Sequence, residues 1–152
     1  MDLDDLYNER IFELAANIPL TRRLADADAT ASAHSKLCGS KVVIDLNMEG
    51  NVVTGFGQDV KACLLGQTAA AVMGRNIIGA TPRELQEVGE QMRRMLKEGG
   101  QPPAGKWADL AMLEPVRDYK ARHASTLLVF DAVADALRQI EIARAAKAGA
   151  GE

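Results

Sequence analysis

The chain has 152 residues, 47% hydrophobic and 26% charged, the balance of one soluble globular domain large enough to bury its own core. A net charge of −3 and a pI near 5.5 leave no overall basic field that would draw in nucleic acid or anionic lipid. No apolar run approaches the length of a membrane span, and no internal repeat is evident.

Met1-Asp2-Leu3-Asp4-Asp5 is acidic where a secretory signal would need a basic start, so the expected location is the reducing cytoplasm. Leu6 to Ile18 reads as a first helix, with Leu6, Ile11, Leu14 and Ile18 on one face and Pro19 closing it. Thr21 to Ser35 has no clear period and reads as a linker or a poorly patterned edge strand.

Lys41 to Met48 alternates: Val42, Ile44, Leu46 and Met48 on one side, Asp45 and Asn47 on the other. This is a half-buried strand. Glu49-Gly50-Asn51 is a turn, and Val52 to Phe56 is the hairpin partner. Gly55 and Gly57 suggest a bulge or a close backbone approach there.

The hairpin leads into Cys63 and then an Ala-rich helix running to about Arg75, whose small residues Gly66, Ala69, Ala70 and Ala71 would pack closely on the sheet. Thr81-Pro82-Arg83-Glu84 combines an N-cap, proline at N1 and a glutamate that can complete a capping box. Leu85, Val88, Met92 and Met95 make the next helical stripe, ended by Gly99-Gly100. The methionines read as core filling. A Pro102-Pro103 loop and a short helix or turn, Trp107 to Leu113, follow, with Trp107 anchoring the loop on the core. Ser125 can cap a long helix with Leu127, Phe130, Leu137 and Ile140 on one face, fading from about Ala143 into a frayed tail, residues 143–152. The sum is an α+β fold: a short antiparallel sheet of two or three strands between an N-terminal helix and several C-terminal helices.

Cys63 stands where an extended segment turns into a helix. Backbone N–H groups and the positive end of a helix dipole favour the thiolate there, the form that binds metal or attacks sulfur. The bland reading is a small buried apolar residue. His34, Cys38, Cys63 and His123 are the only cysteines and histidines, and their spacing is not that of a local metal motif. His34 and Cys38 at i, i+4 would come together on a helix, but on a strand stand too far apart to share a metal easily. Pro115 to His123 concentrates Arg117, Lys120 and Arg122 before the last helix, by default a solvated charge run. No Ser/His/Asp set, phosphate-cradling glycine loop or carboxylate pair stands out, so a conventional enzyme is not expected.

In this order, the features resemble the U-type iron–sulfur assembly scaffolds, the IscU, SufU and NifU N-terminal group. Leu37-Cys38-Gly39-Ser40-Lys41-Val42 is similar to that family's first Cys-Gly-Asp segment entering a strand. Ala62-Cys63 is similar to its second cysteine, and Arg122-His123-Ala124-Ser125-Thr126-Leu127 to its third cysteine segment. The similarity runs from about Leu24 to Leu137, and the Pro102–Trp107 linker sits where the SufU branch carries an insertion. The resemblance implies one domain, three cysteines converging at one end, and sulfur received from a pyridoxal-phosphate-dependent cysteine desulfurase. It also implies other iron–sulfur assembly proteins as partners, with no nucleic acid or membrane.

Two family positions depart. Ser40 replaces the aspartate and Ala124 the third cysteine, a poor ligand and none. Cys38, Cys63 and His123 then remain as a three-ligand set for zinc, iron or a labile iron–sulfur cluster, with His34 as a candidate replacement. Sulfur acceptance would fall to Cys38 or Cys63. The alternative is an interaction module that keeps the fold and docks on the assembly machinery through the Arg117–His123 surface without carrying a cluster.

Overall fold

The computed structural model describes residues 7–37 and 39–150. Helix α1 (Glu9–Ala16) is shorter than the sequence predicts: Asn8 caps it, its side chain accepting from the Ile11 N–H at 3.0 Å, and Leu6 lies outside the described residues. Strands β1 (Ala29–His34), β2 (Lys41–Glu49) and β3 (Val52–Lys61) form one antiparallel sheet in the order β1-β2-β3. Helices α2 (Leu64–Asn76) and α3 (Pro82–Glu98) follow. Then come a succession of 3₁₀ turns (Gly105–Asp118), a single 3₁₀ turn (Lys120–Arg122) and the long α4 (His123–Ala150). The fold is α+β, as the sequence predicts.

β1 is the edge strand hidden in the unpatterned stretch. Its core-facing residues are Ala29, Ala31 and Ala33, opposite Leu46, Ile44 and Val42, and alanines give too little hydropathy contrast to reveal a period of two. β3 runs five residues past the predicted Phe56. The register slips by one between Asn47 and Met48, a bulge at Thr54 next to Gly55. At Gly57 a Cβ would stand 2.1 Å from the Arg22 carbonyl oxygen, so only glycine lets the incoming chain cross there. Gln58 lies fully buried on the core face, its Nε2 donating to the carbonyls of Pro19 and Ala70.

That incoming segment is held by Asp45. The buried carboxylate accepts from Arg23 at 2.6 and 3.1 Å, from the Leu24 N–H at 2.9 Å and from the Thr30 hydroxyl at 2.5 Å. Burial pushes this carboxyl up, but the hydrogen bonds from Arg23, Thr30 and Leu24 outweigh it and hold it below its ordinary value.

The small-residue helix α2 packs mainly against α1 and α4 rather than on the sheet, whose apolar face is covered by α4. For this reason α4 is buried well beyond a single stripe: Leu127, Leu128, Val129, Phe130, Ala132, Val133 and Ala136 all lie in the core. Its start differs too. The helix begins at His123 straight from the 3₁₀ turn, and Ser125 donates its hydroxyl to the Arg122 carbonyl instead of capping. It runs on to Ala150, past Ala143, with its last turns exposed.

Thr81 caps α3 as predicted, accepting from the Glu84 N–H at 3.2 Å. The Glu84 carboxylate is turned outward to Trp107 Nε1 at 2.9 Å and Lys106 Nζ at 2.8 Å, not back to close a capping box. Trp107 is thereby the anchor of its loop, and it is buried. Among the described residues no helix is long and apolar enough to cross a membrane.

Candidate functional site

Three segments meet at one end of the sheet: the β1–β2 loop, the first turn of α2 and the first turn of α4. The loop is closed by two backbone bonds, Ser35 N–H to Ser40 O at 2.8 Å and Gly39 N–H to Ser35 O at 2.9 Å. Gly39 takes a positive φ of 71°, which the hinge requires and which glycine adopts without strain. This turn delivers Ser40, buried, beside α2.

Cys63 is the N-cap of α2, with extended backbone (φ −65°, ψ 170°) and a half-buried side chain. Its N–H donates to Ser40 Oγ at 3.2 Å, and its carbonyl accepts from the Gln67 N–H at 2.9 Å. Its Sγ lies 3.3 Å from Ser125 Oγ. Gly66 makes that approach possible: a Cβ there would stand 2.8 Å from Ala62 Cβ and 2.9 Å from the Ser125 carbonyl oxygen. The sequence reading missed this role for Gly66.

The hydroxyl contact has a consequence for protons. Ser125 Oγ carries one hydrogen, directed at the Arg122 carbonyl 3.2 Å away, so a neutral Cys63 thiol donates to Ser125. A thiolate reverses this, because only an acceptor remains on sulfur and Ser125 must donate to it. The Arg122 carbonyl then keeps the Thr126 hydroxyl at 2.8 Å. Both states of the thiol are therefore hydrogen-bonded.

Of the four residues singled out by sequence, the structure describes three and does not bring those three together. Cys38 lies outside the described residues, between Leu37 and Gly39 of the loop that reaches Cys63. His123 is buried at the start of α4, two residues before Ser125, and its Nε2 is within 3.0 Å of the Val116 carbonyl and 3.1 Å of that of Arg117. Two carbonyl acceptors require a proton on Nε2, which leaves Nδ1 as the nitrogen available to a metal. His34 ends β1, exposed, opposite Lys41. Ala124, at the third cysteine position, is exposed. Among the described residues no three His, Cys, Asp or Glu side chains are grouped to hold a metal ion. Ser40 and Ser125, the hydroxyls on either side of Cys63, are the site residues whose part was not read from sequence. The only signal was Ser40 standing in for an aspartate.

A solved NifU-like protein (N-terminal), described as nitrogen-fixing and from Brucella abortus, is 58% identical to this chain. The match covers 91% of this chain and 96% of that one, with a TM-score of 0.90. The chain belongs to the NifU/IscU family. The iron–sulfur cluster assembly scaffold protein IscU of Thermotoga maritima is 24% identical over 135 residues, 89% of this chain and 94% of that protein. A putative iron–sulfur cluster assembly scaffold protein for the SUF system from Fervidobacterium islandicum AW-1 is 20% identical over 87% of this chain and 96% of that one. Its TM-score of 0.80 shows a shared fold. No family model matches the chain.

Proposed function

We propose that this NifU/IscU-type chain serves iron–sulfur cluster assembly, holding a metal ion (zinc or iron) or a nascent cluster as cargo at Cys63 and Cys38, with His123 as third ligand through Nδ1. The observation that carries the reading is Cys63 itself. It is half-buried at a helix N-terminus and hydrogen-bonded in either protonation state, an arrangement suited to a thiol that alternates between free and ligating forms. Sulfur would come from a pyridoxal-phosphate-dependent cysteine desulfurase. Cys63 would receive it: its thiolate, accepting a hydrogen bond from the Ser125 hydroxyl, would attack the outer sulfur of a persulfide on the desulfurase cysteine, breaking that S–S bond, releasing the desulfurase thiolate and leaving the persulfide on Cys63. His34 remains a candidate further ligand only if the β1–β2 loop folds over its own strand end.

A specific observation favours a second reading. The positions that the resemblance fills with an aspartate and a third cysteine carry here Ser40, whose hydroxyl accepts from the Cys63 N–H, and the exposed Ala124. A chain so equipped would dock on the assembly machinery without carrying a cluster. Elemental analysis of anaerobically purified protein separates the two. Near-stoichiometric zinc or iron, lost in Cys38→Ala, Cys63→Ala and His123→Ala, is the result expected for the cargo-holding chain. Substoichiometric metal indifferent to all three substitutions would establish the docking module instead.

A further inference from the structure

The end of the sheet away from Cys63 carries a cavity for which the proposed function has no use. It lies between the start of α3, the second half of α4 and the β2–β3 turn, with a volume of about 560 Å³. Its floor is apolar: Met48, Leu85, Val133 and Ile140 are buried and Leu137 half-buried. Exposed Ala134, with only a methyl, keeps the α4 wall low at the mouth. That size, over an apolar floor with a few polar groups at the rim, is typical of small-molecule sites.

The rim decides what the cavity takes. Arg138, Glu141 and Arg144 follow one another at helical i, i+3 spacing along its α4 edge, all exposed. Arg144 donates to the Gly50 carbonyl at 2.7 Å and has no ion-pair partner among the described residues, so most of its donors are uncommitted. Arg138 reaches Asp135 only at 3.5 Å. Glu141 is the single carboxylate lining the cavity, against two guanidinium groups. Pro82, the first residue of α3, stands at the mouth, so the positive end of that helix dipole adds to the arginines. Past Leu85 and Ala134 the surface changes sign: Glu90, Asp131 and Asp135 outnumber Arg93 and Arg138 there.

The geometry points to a binding site for a small amphipathic monoanion, an aliphatic carboxylate. Its chain lies on the apolar floor, and Arg138 and Arg144 hold its head at the rim by charge-assisted hydrogen bonds. A polyanion is the poorer fit, because charges beyond the head would meet Glu90, Asp131 and Asp135. A neutral apolar molecule would leave both arginines unused, and a cation would be repelled by them. The site shares no residue with the Cys63 region and stands apart from the cargo reading.

The test titrates decanoate into the full chain, followed by calorimetry and by the methyl resonance of Met48. Saturable binding is expected, with decanol and decyltrimethylammonium each about tenfold weaker or more. Arg144→Gln should weaken decanoate about tenfold and Leu137→Asn by a similar factor. Glu141→Gln should tighten it about threefold, a gain that a merely structural role for Glu141 does not produce. Ile142→Asn, exposed and outside the cavity, should leave affinity unchanged. Melting curves verify that the variants fold. No saturation by about 1 mM, decanol bound as tightly as decanoate, or affinity unmoved by both Arg144→Gln and Glu141→Gln overturns the proposal. Metal content of the parent is read separately: a metal-free chain that binds decanoate sinks the cargo reading and leaves this site standing.

Discussion

Two regions of the sheet treat charge in opposite ways. Around Asp45 the incoming chain and the strand are joined by a buried carboxylate whose neighbours supply four hydrogen bonds. Near Cys63, Lys36, Lys41 and Lys61 of the β1–β2 loop and strand ends have no ion-pair partner among the described residues. Buried charge that is fully satisfied ties segments together; exposed charge that is unsatisfied costs little in water and remains available to another molecule. The first region ties the fold together; the second leaves its charge in water.

The largest effect is expected at the first region. Asp45→Ala strands the Leu24 N–H and the Thr30 hydroxyl and frees Arg23, and should lower unfolding free energy by about 3 kcal/mol in urea titration. A loss under 1 kcal/mol would show that the incoming segment is not held there. Next is Gly66→Ala, which forces the first turns of α2 and α4 apart and should cost about 2 kcal/mol while changing the alkylation rate of Cys63. Unchanged alkylation would mean that the Ser125 contact does not govern the thiol. Glu84→Gln weakens the tie to Lys106 and Trp107 and should cost about 1 kcal/mol, with a shift in tryptophan fluorescence.

The pH dependence follows from the same carboxylates. Burial raises the Glu84 carboxyl, yet hydrogen bonds from Lys106 and Trp107 with the Lys106 charge bring it below its ordinary value, as at Asp45. Ionised forms are thus favoured in the folded state. Their contribution is full above about pH 4–5, where the unfolded carboxyls are ionised, and is lost as pH falls through the depressed folded values. Thermal melts should show an acid limb that flattens in Asp45→Asn. The smallest effect is expected at the second region: Lys41→Gln and Lys61→Gln should each leave stability within about 0.5 kcal/mol, tending upward as like charge is relieved. A clear loss in either would assign that lysine to the fold.

Much of this was legible in the sequence because the signals were local. The alternation of Val42 to Met48 gave β2, Thr81-Pro82 gave the start of α3, and Gly99-Gly100 its end. β1 was obscured by alanines, and β3 was cut short because Gly57 and Gln58 look unlike strand interior until Arg22 and Pro19 are seen against them. Cys63 was legible from its junction. Its hydroxyl neighbours were not, since Ser40 and Ser125 lie 23 and 62 residues away and only packing joins them.

The cover of the sheet has a consequence in time. Gln139 of α4 donates to the Thr30 carbonyl across 109 residues of sequence, and Arg144 to that of Gly50 across 94. Val42, Ile44 and Leu46 emerge from the ribosome early, but the helix that shields them starts only at His123 and runs to Ala150. At about 5–20 residues per second, the nascent sheet stays bare for roughly 5–20 s. During synthesis, the apolar face of β2 is therefore the chain's exposure to misassociation.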